Sequence, residues 1–378
     1  MVFPYESLYT RELGASPSII GLIGSLGSVI LILTRIPGGH IADKYGRRKI
    51  IVTMTFVLAF SFLFYAFAPS WEFVLMGVIL FNISTIYSPA LLAIIADSIP
   101  PDQRGVGYAL RGMLPSMVSI FAPIIGGLFV EKYGLVTGMR VAYILVTVFY
   151  LISALIRVRL EETLEKVEST ESNNILSSLK ESFTSIPDVW RSMPKNFRSY
   201  MVVTIISAFS GPLVYPFLAL FAVDVIGITS FQWGFLGTIG IVVGLMAGYP
   251  LGKLVDKIPR KTSIIISIAL WLPTLGLFIV SRNYVFLVLF FILKAVDEPL
   301  SATAFQGMVA DLIPRESRGR IGSVERTVCG IVSMVSFAIS GFLYQKNPVY
   351  PFLVALILDC VTLLLVIFIL KEPEKREI

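Results

Sequence analysis

The chain contains one stretch twice, and this duplication limits what it can fold into more than any other feature. Gly39-His40-Ile41-Ala42-Asp43-Lys44-Tyr45-Gly46-Arg47-Arg48-Lys49 lies between two long apolar runs. Gly252-Lys253-Leu254-Val255-Asp256-Lys257-Ile258-Pro259-Arg260-Lys261 lies between two more, at an offset of 213 residues. The same offset pairs Gly14 with Gly227, Gly21 with Gly234, Gly24 with Gly237, Gly27 with Gly240 and Pro37 with Pro250. A second block repeats at 214: Ala96-Asp97-Ser98-Ile99-Pro100 and Arg104-Gly105 against Ala310-Asp311-Leu312-Ile313-Pro314 and Arg318-Gly319. Matching at one period over this length makes the chain two copies of one unit in the same orientation.

Composition places that unit in a membrane. The 378 residues are 56% hydrophobic and 15% charged, where a soluble domain carries about 25% charge. The apolar residues come in runs of roughly 20, each enough to cross the hydrocarbon core as a helix. The expected helices occupy about 17–38, 49–68, 72–96, 105–130, 139–158, 199–224, 231–252, 262–281, 284–311, 319–343 and 349–370, eleven in all. Residues 1–12 are too short to span. Through the repeat they correspond to about 214–225, the outer end of the helix that opens the second half. A first helix lacking roughly its first fifteen residues is therefore expected, from a mis-assigned start codon or a truncated gene. The expected domains are a first half at 1–158, a linker at 159–198 and a second half at 199–378. Within the linker Ile175, Leu179, Phe183 and Ile186 recur at three- and four-residue spacing, which predicts one amphipathic surface helix.

The positive charges orient the chain. With the Asp43 stretch assigned to the cytoplasm, that side carries 22 Lys and Arg, against 5 opposite: Arg11, Lys132, Arg140, Arg282 and Lys346. The positive-inside rule then puts both repeated stretches, the linker and the C-terminus in the cytoplasm. The expected location is the plasma membrane. The net charge of +6 is topological and does not point to nucleic acid. Cys329 and Cys360 lie in apolar runs and read as small hydrophobes. With a single histidine, no metal site and no cofactor are expected. The stretch from Gly248 to Lys253 is one residue short of a phosphate-binding loop and lacks its Ser or Thr.

The Asp43 stretch resembles the signature of the major facilitator superfamily of secondary transporters: a Gly, an Asp four residues on, then a Gly and basic residues. Gly39, Asp43, Gly46, Arg47 and Arg48 fit it. Asp256 and Arg260 belong to a weaker copy with Pro259 where Gly46 stands. The resemblance implies an all-α polytopic fold of two pseudo-symmetric six-helix halves, here eleven full helices and an N-terminal stub, and a carrier rather than an enzyme. Physically, a short turn needs glycine for backbone freedom. A carboxylate beside arginines pairs locally or lies against the positive end of a helix in the other half. Arg47 and Arg48 can also reach Asp97. With Arg104, Asp311 and Arg318 they make an expected charge network between helices, with contacts that form in one state and break in another. The plainer reading is that these charges only set topology. In the fifth helix, Ala122-Pro123-Ile124-Ile125-Gly126-Gly127 resembles the family's antiporter signature Gly-Pro-x-x-Gly-Gly, with Ala122 for the leading Gly and Val118 where an earlier Gly is expected. There Pro123, Gly126 and Gly127 supply a kink and a close-packing face. The fourth helix lacks the arginine that many proton-coupled exporters of the family carry, and its polar residues are Asn82, Ser84, Thr85, Tyr87 and Ser88.

Charges inside apolar runs complete the reading. Each costs about 2.5–3.5 kcal/mol on insertion scales, so each needs a partner or a cavity. They are Arg35, Arg111, Lys294, Asp297, Glu298, Glu325, Arg326 and Asp359. The candidates for substrate or coupling ion are Lys294, Asp297, Glu298, Arg111, Glu325 and Arg326, with Asn82 and Tyr87 from the fourth helix. Glu325 stands where Arg111 does in the repeat. Lys294 shares a helix face with both Asp297 and Glu298 but neutralises only one of them well. The other must reach a cavity, meet a cation such as Arg326, or take up a proton. A static Lys294–Glu298 pair is the structural alternative. Arg111 and Arg326 lie near helix ends and can snorkel. Asp359 ranks lower, because the twelfth helix is usually peripheral in the family's fold. The expected function is secondary transport of a small solute by alternating access. Proton-coupled efflux of an amphipathic, drug-like compound comes first, and uptake or exchange of a charged metabolite second. A transport-dead membrane sensor or scaffold comes third. The expected partners are that solute, the lipid bilayer and a proton or other ion, with the chain acting as a monomer and binding no nucleic acid.

Overall fold

The computed structural model describes residues 2–100, 104–163, 184, 186–313 and 317–373, and the regular structure among them is helical throughout. The chain divides into two compact units. The first holds Met1–Ala15 and Leu26–Ser185, the second Ser16–Ser25 and Ile186–Ile378.

The first unit contains α1 (Glu6–Glu12), most of α2 (Pro17–Tyr45), α3 (Arg47–Ala66), α4 (Trp71–Ser84), α5 (Ser88–Ser98), α6 (Arg104–Ser119), α7 (Phe121–Tyr133) and α8 (Leu135–Arg157). The second contains α9 (Ile186–Ser192), α10 (Lys195–Val214), α11 (Ser230–Lys257), α12 (Arg260–Val280), α13 (Tyr284–Leu312), α14 (Arg318–Lys346) and α15 (Tyr350–Phe368). Among the described residues ten helical segments are long and apolar enough to cross a membrane. The eleventh expected span, 284–311, forms as the 29-residue α13, and its cluster of Lys294, Asp297 and Glu298 puts three charges in the middle of the helix. The chain is a multi-pass, all-helical membrane protein.

Three spans that hydropathy reads as continuous are broken, each beside a proline that withholds a backbone donor. A 3-10 turn at Thr85–Tyr87 separates α4 from α5 just before Pro89. The helix breaks at Ile120, between α6 and α7, three residues before Pro123. Beyond α10, a 3-10 turn at Tyr215–Phe217 contains Pro216. A short helix at Leu218–Phe221 and a π-helical turn at Ala222–Ile226 then carry the span to Gly227.

The repeated stretches are shorter as turns than their composition implies. The α2 helix runs on to Tyr45, and the turn is Gly46, whose φ of 90° only glycine adopts without strain. A Cβ there would also lie 3.0 Å from a Glu162 carboxylate oxygen. In the second copy α11 runs to Lys257, and Ile258 and Pro259 make the turn in extended conformation. Lys44 and Lys257 fall in the last turns of these helices, where a cation complements the dipole.

Aromatic side chains fill both units. In the first, the Tyr65 and Tyr143 rings stack at 4.8 Å, and Phe62 stacks on Tyr150 at 5.4 Å. In the second, Phe278 meets Phe221, Phe290 and Phe352 at 5.2, 4.7 and 5.3 Å. The start of α2 packs within the second unit against α14. A Cβ at Gly21 would stand 2.5 Å from the Phe337 carbonyl oxygen, so close backbone approach requires glycine there. Of the expected linker helix, Ile175, Leu179 and Phe183 lie outside the described residues, and Ile186 opens α9.

Candidate functional site

Each unit carries a charged staple where its duplicated turn leads into the next helix. In the first unit Arg47 heads α3 and donates to the Asp97 carboxylate at 2.6 Å and to Thr163 Oγ1 at 3.2 Å. The Arg48 backbone N–H donates to the Glu162 carboxylate at 3.0 Å, and the Arg48 guanidinium to the Val158 carbonyl at 2.6 Å. In the second unit Arg260 heads α12. Its Nε donates to Asp311 at 3.0 Å and its Nη1 to Asp256 at 3.4 Å. The backbone N–H groups of Arg260 and Lys261 donate to the two oxygens of Glu372, at 2.7 and 2.8 Å. A carboxylate on the open N–H groups of a helix start satisfies donors that have no intrahelical partner and meets the positive end of the dipole. Gly307 leaves room for this arrangement, since a Cβ there would meet the Arg260 guanidinium at 2.9 Å.

The pairing of Arg47 with Asp97 was expected. Glu162 and Glu372 were not, although both follow the last helix of their half, in Leu160-Glu161-Glu162 and Leu370-Lys371-Glu372. The hydrogen bonds just described each lie within one unit. The side chains of Gly39, Asp43 and Arg104 lie outside the described residues. Arg318 donates to the carbonyls of Ala310 and Ile313, at 2.8 and 3.3 Å.

A second polar cluster lies within the second unit on α13. Lys294 pairs with Glu298, one turn on, and its ammonium sits 5.7 Å from the centre of the Tyr215 ring. Asp297 turns away from this pair. It is buried, and Ser267 Oγ of α12 donates to it at 2.7 Å. Asp359 of α15 is buried as well. The Trp271 indole N–H, also on α12, donates to it at 2.9 Å, and Ser210 of α10 is a further partner. Ser267 and Trp271 are one turn apart on one face of α12, so a single helix supplies donors to carboxylates of two neighbours. Asp359 is thus embedded in the bundle, despite the low rank its peripheral helix gave it.

The remaining candidates do not join this cluster. Arg111 and Arg326 are exposed and Glu325 is half-buried. Arg326 makes no ion pair with Asp297 or Glu298 among the described residues. Asn82 donates to the Val78 carbonyl of its own helix at 2.8 Å, and the Arg157 guanidinium covers the Tyr87 ring at 5.1 Å. Pro123, Gly126 and Gly127 are buried in α7, and the Pro123 carbonyl accepts a bond from Tyr5 Oη at 2.9 Å.

Apolar membrane-length helices in two copies of one unit, each with a charged turn of matching residues, define a polytopic membrane carrier of duplicated architecture. Residues 1–244 and 200–378 both match the Major Facilitator Superfamily, and the chain belongs to that family of transporters. An uncharacterized MFS-type transporter of Methanocaldococcus jannaschii is 25% identical over 357 residues, 90% of this chain and 86% of the relative. The multidrug resistance protein MdtG of Citrobacter koseri is 26% identical over 342 residues, 86% of this chain and 80% of the relative. A crystal structure of the nucleoside transporter NupG, in a mutant form, aligns with a TM-score of 0.76 at 13% identity, covering 98% of this chain and 95% of that one. At that identity the likeness is one of fold.

Proposed function

We infer that this transporter expels amphipathic, drug-like compounds in exchange for protons, with Asp297 as the carboxylate that carries the proton. The observation that carries the reading is the partner choice on α13: Lys294 serves Glu298, while Asp297 is buried against the neutral hydroxyl of Ser267. A buried acidic group in a membrane helix that makes no ion pair of its own among the described residues is a functional site by default. The similarity to a protein named for multidrug resistance favours efflux over uptake. Purified protein in proteoliposomes is expected to move a lipophilic cationic dye against its gradient when a pH step is imposed, and to stop when an ionophore collapses that step. Dye movement that ignores the pH step would overturn the proton-exchange reading. Exchange of charged metabolites with no dye movement would favour the second reading.

In this arrangement the duplicated turns and the C-terminus face the cytoplasm of a plasma membrane, following the charge bias of 22 to 5. In a chain freed of Cys329 and Cys360, single cysteines at Ser169 and Ser230 should label from opposite sides, Ser230 from outside. Labelling of both from outside sinks this orientation.

A further inference from the structure

The first unit encloses a carboxylate that has no ion-pair partner among the described residues. Glu6 sits on α1, the segment that matches the outer end of a membrane helix in the second half, and is only partly exposed. Tyr65 of α3 donates its hydroxyl to Glu6 Oε1 at 3.4 Å. The Tyr65 ring stacks on Tyr143 of α8, and the Tyr9 ring lies 5.4 Å from Tyr143 on another side. Tyr143 is 1% exposed, and its hydroxyl has no hydrogen-bond partner among the described residues. The ring stacked on it is that of Tyr65, whose hydroxyl binds Glu6.

The other charged groups on the packed elements are engaged elsewhere. Arg140, also on α8, donates to the Ala68 carbonyl at 2.7 Å and faces Tyr9. Glu72 of α4 is exposed and bound to Ser70. Arg11, on α1 itself, pairs with Glu12 at 3.0 Å. A buried hydroxyl without a partner is rare enough to need a reason. An ionised carboxylate only accepts, whereas a protonated one also donates.

We propose that Glu6 is a proton-binding site of the first unit that changes partner with its charge. Tyr65 donates to the carboxylate, and the protonated carboxyl donates to the Tyr143 oxygen. One proton is taken up on a carboxylate oxygen, and no covalent bond breaks. Burial disfavours the charged carboxylate and the Tyr65 hydrogen bond favours it, so loss of either partner moves the exchange. Above it the Glu6 side chain is tied to α3, and below it to α8. This site is separate from the one proposed at Asp297, and it can be read without any transport.

The test is an infrared pH titration of the purified protein, following the C=O band of protonated carboxyls. One titrating band is expected to vanish in Glu6→Gln. Tyr65→Phe removes a donor to the charged form, so the midpoint should rise. Tyr143→Phe removes an acceptor for the neutral form, so the midpoint should fall. Each shift should be roughly half to one pH unit, the worth of one hydrogen bond. Opposite shifts support the proposal even if Glu6→Gln does not fold. An unchanged titration in Glu6→Gln, or tyrosine variants that shift together or not at all, overturns it.

Discussion

Asp311→Ala is expected to destabilise the protein by about 3–5 kcal/mol, whereas Asp97→Ala, its counterpart in the first repeat, costs about 1 kcal/mol or less. Both aspartates lie near the end of a helix and pair with an arginine at the head of an earlier one, with donor–acceptor distances of 3.0 and 2.6 Å. The shorter bond belongs to the weaker pair, because surroundings matter more than distance here. The Asp311 side chain is 2% exposed and Arg260 13%. The Asp97 side chain is 48% exposed beside an Arg47 at 19%, so water screens that pair and replaces its partner when one is removed. Deleting Asp311 leaves Arg260 with the 3.3 Å contact to the Val255 carbonyl and the long bond to Asp256, whose side chain is 71% exposed. A buried guanidinium with so little compensation carries most of its desolvation cost. Replacing both members, Arg260→Met with Asp311→Leu, should recover most of the loss, since neither charge of the pair is then left buried without the other. Denaturant unfolding in detergent measures all three variants. Equal losses for Asp311→Ala and Asp97→Ala would show that burial does not set the strength of these staples.

The duplication, the apolar runs and the paired basic turns were enough to reach the helices and the family. Each of these is a property of residues close together in the chain or repeated at one offset. The breaks at Thr85–Tyr87, Ile120 and Tyr215–Phe217 were only half visible. Pro89, Pro123 and Pro216 mark where a donor is missing, but whether a helix bends, tightens or widens there depends on its neighbours. Glu162 and Glu372 escaped notice for another reason. They recur at an offset of 210 rather than 213, so the comparison that paired the turns passed over them. Partner choice on α13 was legible only as one of two alternatives, the Lys294–Glu298 pair among them. Spacing placed Lys294 within reach of both acids, and only the packing of α12 against α13 shows that Ser267 takes Asp297 and leaves Lys294 to Glu298. The burial of Asp359 against α12 was not legible either, because helix order says nothing about which way a side chain points.

Asp297→Asn should keep the fold and substrate exchange while abolishing accumulation driven by a pH step. The substitution is nearly isosteric, and the Asn carbonyl oxygen still accepts from Ser267 Oγ, so the contact between α12 and α13 survives. What disappears is a group able to gain and lose a proton. One proton exchanged per substrate sustains about a tenfold concentration ratio for each unit of pH difference, since one pH unit is worth about 1.4 kcal/mol. Without that exchange the ratio should fall to about one, while dye bound inside still exchanges with dye outside. Glu298→Gln separates coupling from simple charge loss. Glu298 is half-exposed and already paired with Lys294, so its loss should alter dye affinity and leave the driven ratio in place. Ser267→Ala adds an intermediate case. It removes the donor but not the acid, so driven transport should persist with its pH optimum moved. If Asp297→Asn instead accumulates dye as the unaltered protein does, the proton is carried elsewhere and the α13 cluster is a structural one. If it exchanges no dye although it remains folded, Asp297 serves substrate binding before coupling. Driven and exchange assays on the same vesicles separate these outcomes.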